Sequence, residues 1–289
     1  LKAFGCCHEV FGSQTMLAKL VKNKLKIEEP LRSEIEVTVL GINHFTWINK
    51  AEWRGHDLLD MLRKHIQKPR VIRKYTKKEV MARKDIFVSN DQVKFELFKK
   101  FKLLPAGGDR HLAEFVPGFL IKQEDAYRWG FRLTPVAFRR QKWLLAEKKA
   151  RLSIKGKKSF KILHSNEESI NQIKALLGMG DLVTNVNLEN QGQVLNLPSG
   201  AVVETNALFQ EDRVTPVPVG SFPKGVLNLV NRHVINQEII LQAGLDCDKE
   251  LGFQAVFNDP LVHLPIDKAW EMYNKMLKAT KKYLPGWKI

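Results

Sequence analysis

A thiol phrase that opens a helix and an imidazole phrase that closes a strand constrain this chain more than any other feature. Cys6-Cys7-His8-Glu9-Val10 leads into apolar positions Val10, Leu17, Leu20, Val21 and Leu25, and the later ones fall at helical spacing within residues 8–25. Gly41-Ile42-Asn43-His44 follows Glu34 to Leu40, where Ile35, Val37, Thr38 and Val39 mark a β-strand. A thiolate and an imidazole from separate segments can hold a divalent transition metal and leave coordination positions for a substrate. A structural zinc site would need four protein ligands in paired spacings, and the chain has three cysteines. The pattern reads as catalytic. A third phrase, Gly107-Gly108-Asp109-Arg110-His111-Leu112-Ala113-Glu114-Phe115, is dense in polar residues, and the three together point to one active site.

The rest of the composition narrows the class. With 44% hydrophobic and 27% charged residues over 289 positions, the chain is that of an ordinary globular protein. No run of about 18 apolar residues is present, so no membrane span is expected, and no secretory signal precedes the first motif. Cys6, Cys7 and Cys247 have no framework spacing, which suits a reducing cytoplasm. The first residue is Leu1 and the chemistry starts within ten residues of it; the chain is expected to be a fragment lacking an N-terminal portion. The net charge of +16 is uneven: residues 1–161 hold 36 Lys+Arg against 17 Asp+Glu, and residues 162–289 hold 11 against 14. The densest stretch, Lys68 to Lys84, has eight basic residues in seventeen and only Tyr75 among aromatics. It lacks the interleaved aromatics of a single-strand binding surface. A solvated loop, or else a subunit or substrate contact, is the expectation there, ahead of a nucleic-acid module.

Along the chain, Phe45 to Trp53 reads as a second strand and Asp57 to Gln67 as a helix. Asp91 to Leu103 reads as a helix capped by Asp91, and Asp109 to Phe115 starts another after two glycines. Pro135 to Ile154 and Asn166 to Leu177, with Ser165 as N-cap, are further helices. Leu182 to Leu188, Val194 to Leu197, Ala201 to Phe209 and Arg213 to Pro216 read as short strands separated by turn residues. Gly225 to Ala243, Asp248 to Asn258 and Ile266 to Tyr283 close the chain as helices. The fold class is α+β, a mostly antiparallel sheet flanked by helices. No G-x-G-x-x-G follows a strand, so no nucleotide fingerprint is present.

Each candidate residue has a plain alternative. Helix N-terminal N–H groups would lower the pKa of Cys7, while Cys6 is expected to pack against the core. His8 and Glu9 stand where a proton can be passed to a leaving group, or Glu9 merely favours the helix dipole. Arg110 offers a forked donor for a carboxylate or phosphate, and Asp109 is either a site residue or an N-cap. His111 and Glu114, three apart, form a proton relay or an exposed pair. Glu204, in an apolar strand, either lines the site or pairs with a buried Arg, and the structural pair is the expectation.

These phrases, with Asn196-Leu197-Pro198-Ser199-Gly200-Ala201-Val202-Val203-Glu204, Pro218-Val219-Gly220 and Asn258-Asp259-Pro260-Leu261-Val262, resemble the C-terminal two thirds of glycoside hydrolase family 4. The resemblance covers nearly the whole chain, residues 1–289. It implies a lactate/malate dehydrogenase-like C-terminal domain and an N-terminal NAD-binding domain outside the chain, without which activity is expected to be slight. It also implies NAD and a divalent metal, usually Mn²⁺, as cofactors. The implied route departs from paired-carboxylate hydrolysis. NAD takes hydride from C3 of the sugar, a base removes the C2 proton, the C1 leaving group departs, water adds and hydride returns. By carry-over, Cys7 and His44 are the metal ligands, Asn43 contacts substrate, His8 stands at the general-acid position, and His111 lies near the position of a tyrosine base. With histidine at both places, Asp109 becomes an alternative base. Cys-His-Glu-Val looks most similar to the α-galacturonidase branch, with α-galactosidase or α-glucuronidase as the runner-up. An α-linked uronate suits the basic first half and Arg110. The resemblance further implies a homodimer or homotetramer.

Overall fold

The structure, a computed structural model, describes residues 3–159 and 167–289. The helix after the thiol phrase, α1 (Glu9–Leu25), buries Val10, Leu17, Leu20 and Val21. It stops where Lys26 turns left-handed (φ 59°) and returns its N–H to the Lys22 carbonyl. Next come β1 (Glu36–Ile42) and β2 (Phe45–Trp53), an antiparallel hairpin in which Ile42 pairs with Phe45 and only Asn43-His44 make the turn. A Cβ at Gly41 would lie 2.6 Å from the Phe45 carbonyl oxygen and the Thr46 Cα. Glycine is therefore required one step before the ligand phrase. Two short strands, β3 (His56–Asp57) and β4 (Leu104–Pro105), pair with β2.

The hairpin feeds two cores because alternate side chains leave its opposite faces, and the register shift between Thr38 and Val39 keeps Ala51 and Trp53 on the same face as Ile48. Leu40, Ile42, Phe45 and Trp47 enter one core, and Val39, Ile48, Ala51 and Trp53 the other. The second core is closed by α1, α2 (Leu58–Ile66) and Phe95 and Phe98 of a later helix. Asp57 accepts the N–H of Asp60 and so starts α2. A short helix, α3 (Lys77–Met81), lies inside the basic stretch, in which Arg73 stacks on Tyr75 and Lys74 on Trp129.

Helix α4 (Gln92–Phe101) is shorter than expected, and Asp91 does not cap it. Asp91 is left-handed (φ 55°) and lies 3.4 Å from the buried Lys94 ammonium. The chain continues through α5 (Asp109–Phe115), α6 (Asp125–Arg128) and α7 (Val136–Ile154), the last with no buried residue. Helix α8 (Ser169–Leu176) starts later than expected; the cap assigned to Ser165 lies outside the described residues.

A second antiparallel sheet runs β5 (Leu182–Glu189), β6 (Val202–Gln210), β7 (Arg213–Pro216) in that order. It packs on the hairpin, with Val203 in the same core as Leu40 and Ile42, and Asn206 adds a polar link. Asn206 Oδ1 accepts the Val39 N–H (2.9 Å) and its Nδ2 donates to the Val37 carbonyl (3.1 Å), an amide standing in for a ladder bond. Val194 to Leu197 is not a strand. It makes one isolated bridge, Val194 to Gly220, and its backbone is tied by Asn190, whose Nδ2 donates to the Val194 and Leu197 carbonyls at 3.0 and 3.1 Å. A side-chain network there replaces a ladder. Helices α9 (Lys224–Asp246), α10 (Lys249–Phe257) and α11 (Ile266–Thr280) finish the α+β architecture, two antiparallel sheets flanked by helices as expected. Among the described residues no helix is long and apolar enough to cross a membrane.

Candidate active site

The N-terminus of α1, the β1–β2 turn and the loop before α5 are stitched together by their backbones. Ala106 donates its N–H to the Thr46 carbonyl (2.8 Å) and accepts the Ser13 hydroxyl of α1 (2.8 Å). A Cβ at Gly107 would stand 2.6 Å from the His44 carbonyl oxygen, so this loop reaches the turn only because residue 107 has no side chain. Gly108 then donates its N–H to Glu9 Oε2 at 2.8 Å. His44 itself is left-handed (φ 65°), a conformation histidine adopts more readily than bulkier residues.

On this frame Glu9, His44 and His111 converge, with one potential ligand atom from each within 4.8 Å of the others. The His44 and His111 rings meet edge to face at 4.6 Å, and the His8 ring lies 6.2 Å from His44. His111 Nε2 is 3.8 Å from Glu9 Oε1, and its Nδ1 is 3.3 Å from Glu114. That Glu114 contact holds the His111 pKa above its ordinary value, while burial pulls His44 below its own. A carboxylate with two imidazoles is a donor set that fits a divalent transition metal. His8, exposed, stands between Glu9 (3.7 Å) and Glu167 (3.4 Å). With Glu9, Gly12, Lys94 and Gly108 it lines an adjoining cleft of about 350 Å³. Asn43 is exposed beside His44 at the turn.

Cys7 lies under this cluster and is buried. Its sulfur faces the backbone N–H groups of Glu9 and His44, as a thiol at a helix start should. The expected lowering of its pKa is nonetheless overturned. Burial first, and the Glu204 carboxylate second, push the thiol up to about 12. Glu204 is fully buried on β6 and, by that burial, is itself pushed up to about 7. Among the described residues it has no arginine partner. Asn185 Nδ2 donates both to Glu204 Oε1 (2.7 Å) and to the Cys7 carbonyl (3.0 Å), locking the thiol segment onto the second sheet. Cys6, expected in the core, is exposed, and its thiol donates to Gln172 Oε1 at 2.8 Å.

Two expected site residues are committed elsewhere. Asp109 is wholly buried and caps α4: Oδ2 accepts the Gln92 N–H (2.7 Å) and the Ser89 hydroxyl (2.8 Å), and Oδ1 accepts the Lys94 N–H (3.0 Å). Burial, with Asp91 nearby, raises its pKa to about 6. A carboxylate so enclosed is a structural cap and not a base. Arg110 also turns from the cluster, donating Nη1 to the Thr134 hydroxyl (2.9 Å) and Nη2 to the Ile86 carbonyl. Its fork holds two loops together and does not present itself to a carboxylate ligand. Glu9 and Glu204 were the residues whose roles sequence reasoning missed. Glu9 carries one signal, an acid two residues beyond a candidate ligand; Glu204 was recognisable only as a charge in an apolar strand.

Residues 39–262 match the family 4 glycosyl hydrolase C-terminal domain. An α-galacturonidase of Thermoanaerobacterium saccharolyticum is 44% identical over 291 residues, covering 100% of this chain and 63% of the relative. One from Bacillus subtilis is 47% identical over 282 residues, covering 96% and 62%. The crystal structure of a Bacillus subtilis protein described as a glucosidase superposes with a TM-score of 0.88 at 47% identity, covering 96% of this chain and 63% of that one. A 6-phospho-α-glucosidase from gut microorganisms, solved with NAD and Mn²⁺, shares the fold at a TM-score of 0.73 and 17% identity, covering 99% and 62%. The chain thus spans less than two thirds of the length of each of these proteins. A family match over most of the chain, with relatives 44% and 47% identical along nearly all of it, makes this chain a member of the family 4 glycosyl hydrolases.

Proposed function

We propose that the parent protein is an α-galacturonidase that cleaves α-linked galacturonides with NAD and a divalent cation, Mn²⁺ foremost. The observation that carries this reading is the meeting of Cys7-His8-Glu9, Asn43-His44 and His111 at one place, in a chain most of whose length aligns with α-galacturonidases. Cys7 and His44 are the residues that would hold the cation, which when bound supplies Lewis acidity to a sugar diol. The two backbone N–H groups facing the Cys7 sulfur favour its thiolate. His8, at the rim between two carboxylates, is placed to hold a proton for a departing glycosidic oxygen. His111, oriented by Glu114 on one nitrogen, presents the other toward the cluster, where it can take a proton from a sugar carbon. Asn43 offers its amide to a sugar hydroxyl. Arg110 is committed to Thr134 and Ile86 and so does not serve a uronate carboxylate. The family resemblance assigns nucleotide binding to an N-terminal domain, and the chain spans 63% of the length of its α-galacturonidase relative.

The test is turnover by the parent protein with NAD and Mn²⁺ on nitrophenyl α-galacturonide and nitrophenyl α-galactoside, side by side. Release from the uronide, with no net NADH accumulation, is the expected result. Release from the galactoside alone, or from neither, overturns the assignment.

A further inference from the structure

We propose that Glu9 is a protein ligand of the divalent cation beside His44, giving the site a carboxylate that Cys7 and His44 do not supply. The inference rests on the metal-dependent reading above and deepens it.

The Glu9 carboxylate is mostly buried, with 14% of the side chain exposed, and its two oxygens have different surroundings. Oε2 accepts the Gly108 N–H at 2.8 Å, which fixes the rotamer. Oε1 is thereby turned inward, 3.8 Å from His111 Nε2 and 3.7 Å from His8 Nε2. A residue that only favoured the helix dipole would leave its carboxylate in water at the first turn. This one is bent away from the helix axis into a group of imidazoles and clamped there by a backbone amide. Two donors on one cation, each at about 2.1 Å, stand no more than about 4.2 Å apart. The observed 4.8 Å limit for Glu9, His44 and His111 is therefore within about half an ångström of a loaded site.

Of the three residues, His111 already engages Glu114 through Nδ1 and remains the proton carrier. Glu9 has one oxygen held and one oxygen aimed at the cluster, the arrangement of a ligand fixed by an outer hydrogen bond. The chemistry of the metal follows. A thiolate with an imidazole suits softer ions, whereas adding a carboxylate oxygen shifts the site toward Mn²⁺.

The experiment measures Mn²⁺ binding to the parent protein without nucleotide, through the paramagnetic resonance of free Mn²⁺, for wild type, E9Q and H111A. Glutamine keeps an oxygen for the Gly108 N–H, so E9Q removes the charged ligand and retains the positional contact. E9Q is expected to weaken binding by about 100-fold or more, the upper end of what outer-shell losses produce, and H111A by less than about 10-fold. The visible spectrum of the Co²⁺-loaded protein is expected to differ between wild type and E9Q, which a merely positional role would not cause. Wild-type affinity in E9Q, coincident Co²⁺ spectra, or a larger loss in H111A than in E9Q each overturns the proposal. Absence of Mn²⁺ binding in the wild type overturns the metal-dependent reading itself and this inference with it.

Discussion

Asp109→Ala separates a capping role from a chemical one. The carboxylate accepts the Gln92 and Lys94 N–H groups, two of the unpaired donors at the start of α4, and the Ser89 hydroxyl. Buried donors left without a partner cost about 1–3 kcal/mol each, so orphaning the two backbone groups costs about 4 kcal/mol. Against this stands the burial that lifts the carboxyl from 3.8 to about 6, which at neutral pH offsets about 3 kcal/mol at 1.36 kcal/mol per unit. The folded pKa lies above the unfolded one. The contribution of Asp109 is therefore complete below pH 3.8 and is lost as pH rises through 6. Asp109→Ala is expected to lower stability by about 1–2 kcal/mol at pH 7.5 and by about 1.4 kcal/mol more at pH 5. Urea denaturation of both proteins at the two pH values measures this, alongside turnover of the parent at pH 7.5. Equal stability at both pH values, or a difference that grows toward high pH, refutes the capping argument. Unchanged stability with a 100-fold loss of turnover would make Asp109 the base after all.

Three further outcomes follow from the same contacts. Gly107→Ala places a Cβ 2.6 Å from the His44 carbonyl, so it should destabilise by about 1–3 kcal/mol and weaken Mn²⁺ binding; unchanged affinity would show that this loop does not set His44. Asn206→Ala removes the partner of the Val39 N–H and should cost about 1–3 kcal/mol in urea denaturation. Asn206→Asp, which keeps that acceptor but loses the donor to Val37, should lie between it and wild type. Stripping divalent ions from the parent with a chelator should abolish turnover and Mn²⁺ should restore it; activity that survives exhaustive chelation would remove the metal from the chemistry.

The hairpin and the terminal helices were legible because their signals are local. β-Branched residues in Glu36–Ile42 and the Gly41 position that tolerates no Cβ specify a strand and a tight turn within nine residues. Val194 to Leu197 failed for the opposite reason. Its four residues carry strand propensity, but the hydrogen bonds that settle their conformation come from the side chain of Asn190. A side-chain donor several residues away leaves no trace in a short apolar pattern. The cap of α4 shows the same limit at longer range. Asp91 stands where a capping residue is expected, yet the carboxylate that performs the task is Asp109, eighteen positions later.

At the site, residue types were readable and their electrostatics were not. Cys7, His44 and His111 each announce a possible role by position. The sign of the Cys7 shift, however, depends on Glu204, nearly two hundred residues on, and on burial by a second sheet. A helix N-terminus supplies a fixed and modest preference for the thiolate. Full burial beside a carboxylate supplies a larger opposing one, and here it wins. The same burial gives a cation its leverage. A thiol held up at about 12 releases its proton at neutral pH only when a positive charge arrives beside it, and metal ligation deprotonates a thiol outright. Cys7 is thus kept neutral, and poorly reactive toward oxidants, until the site is loaded. Alkylation of Cys7, followed at its own peptide because Cys6 is exposed and reacts independently, should accordingly be slow in the metal-free parent at pH 7 and rise steadily with pH. Rapid modification at pH 7, in a protein that remains folded, would show that the helix N-terminus dominates and that the two-sheet burial of Cys7 has been given too much weight.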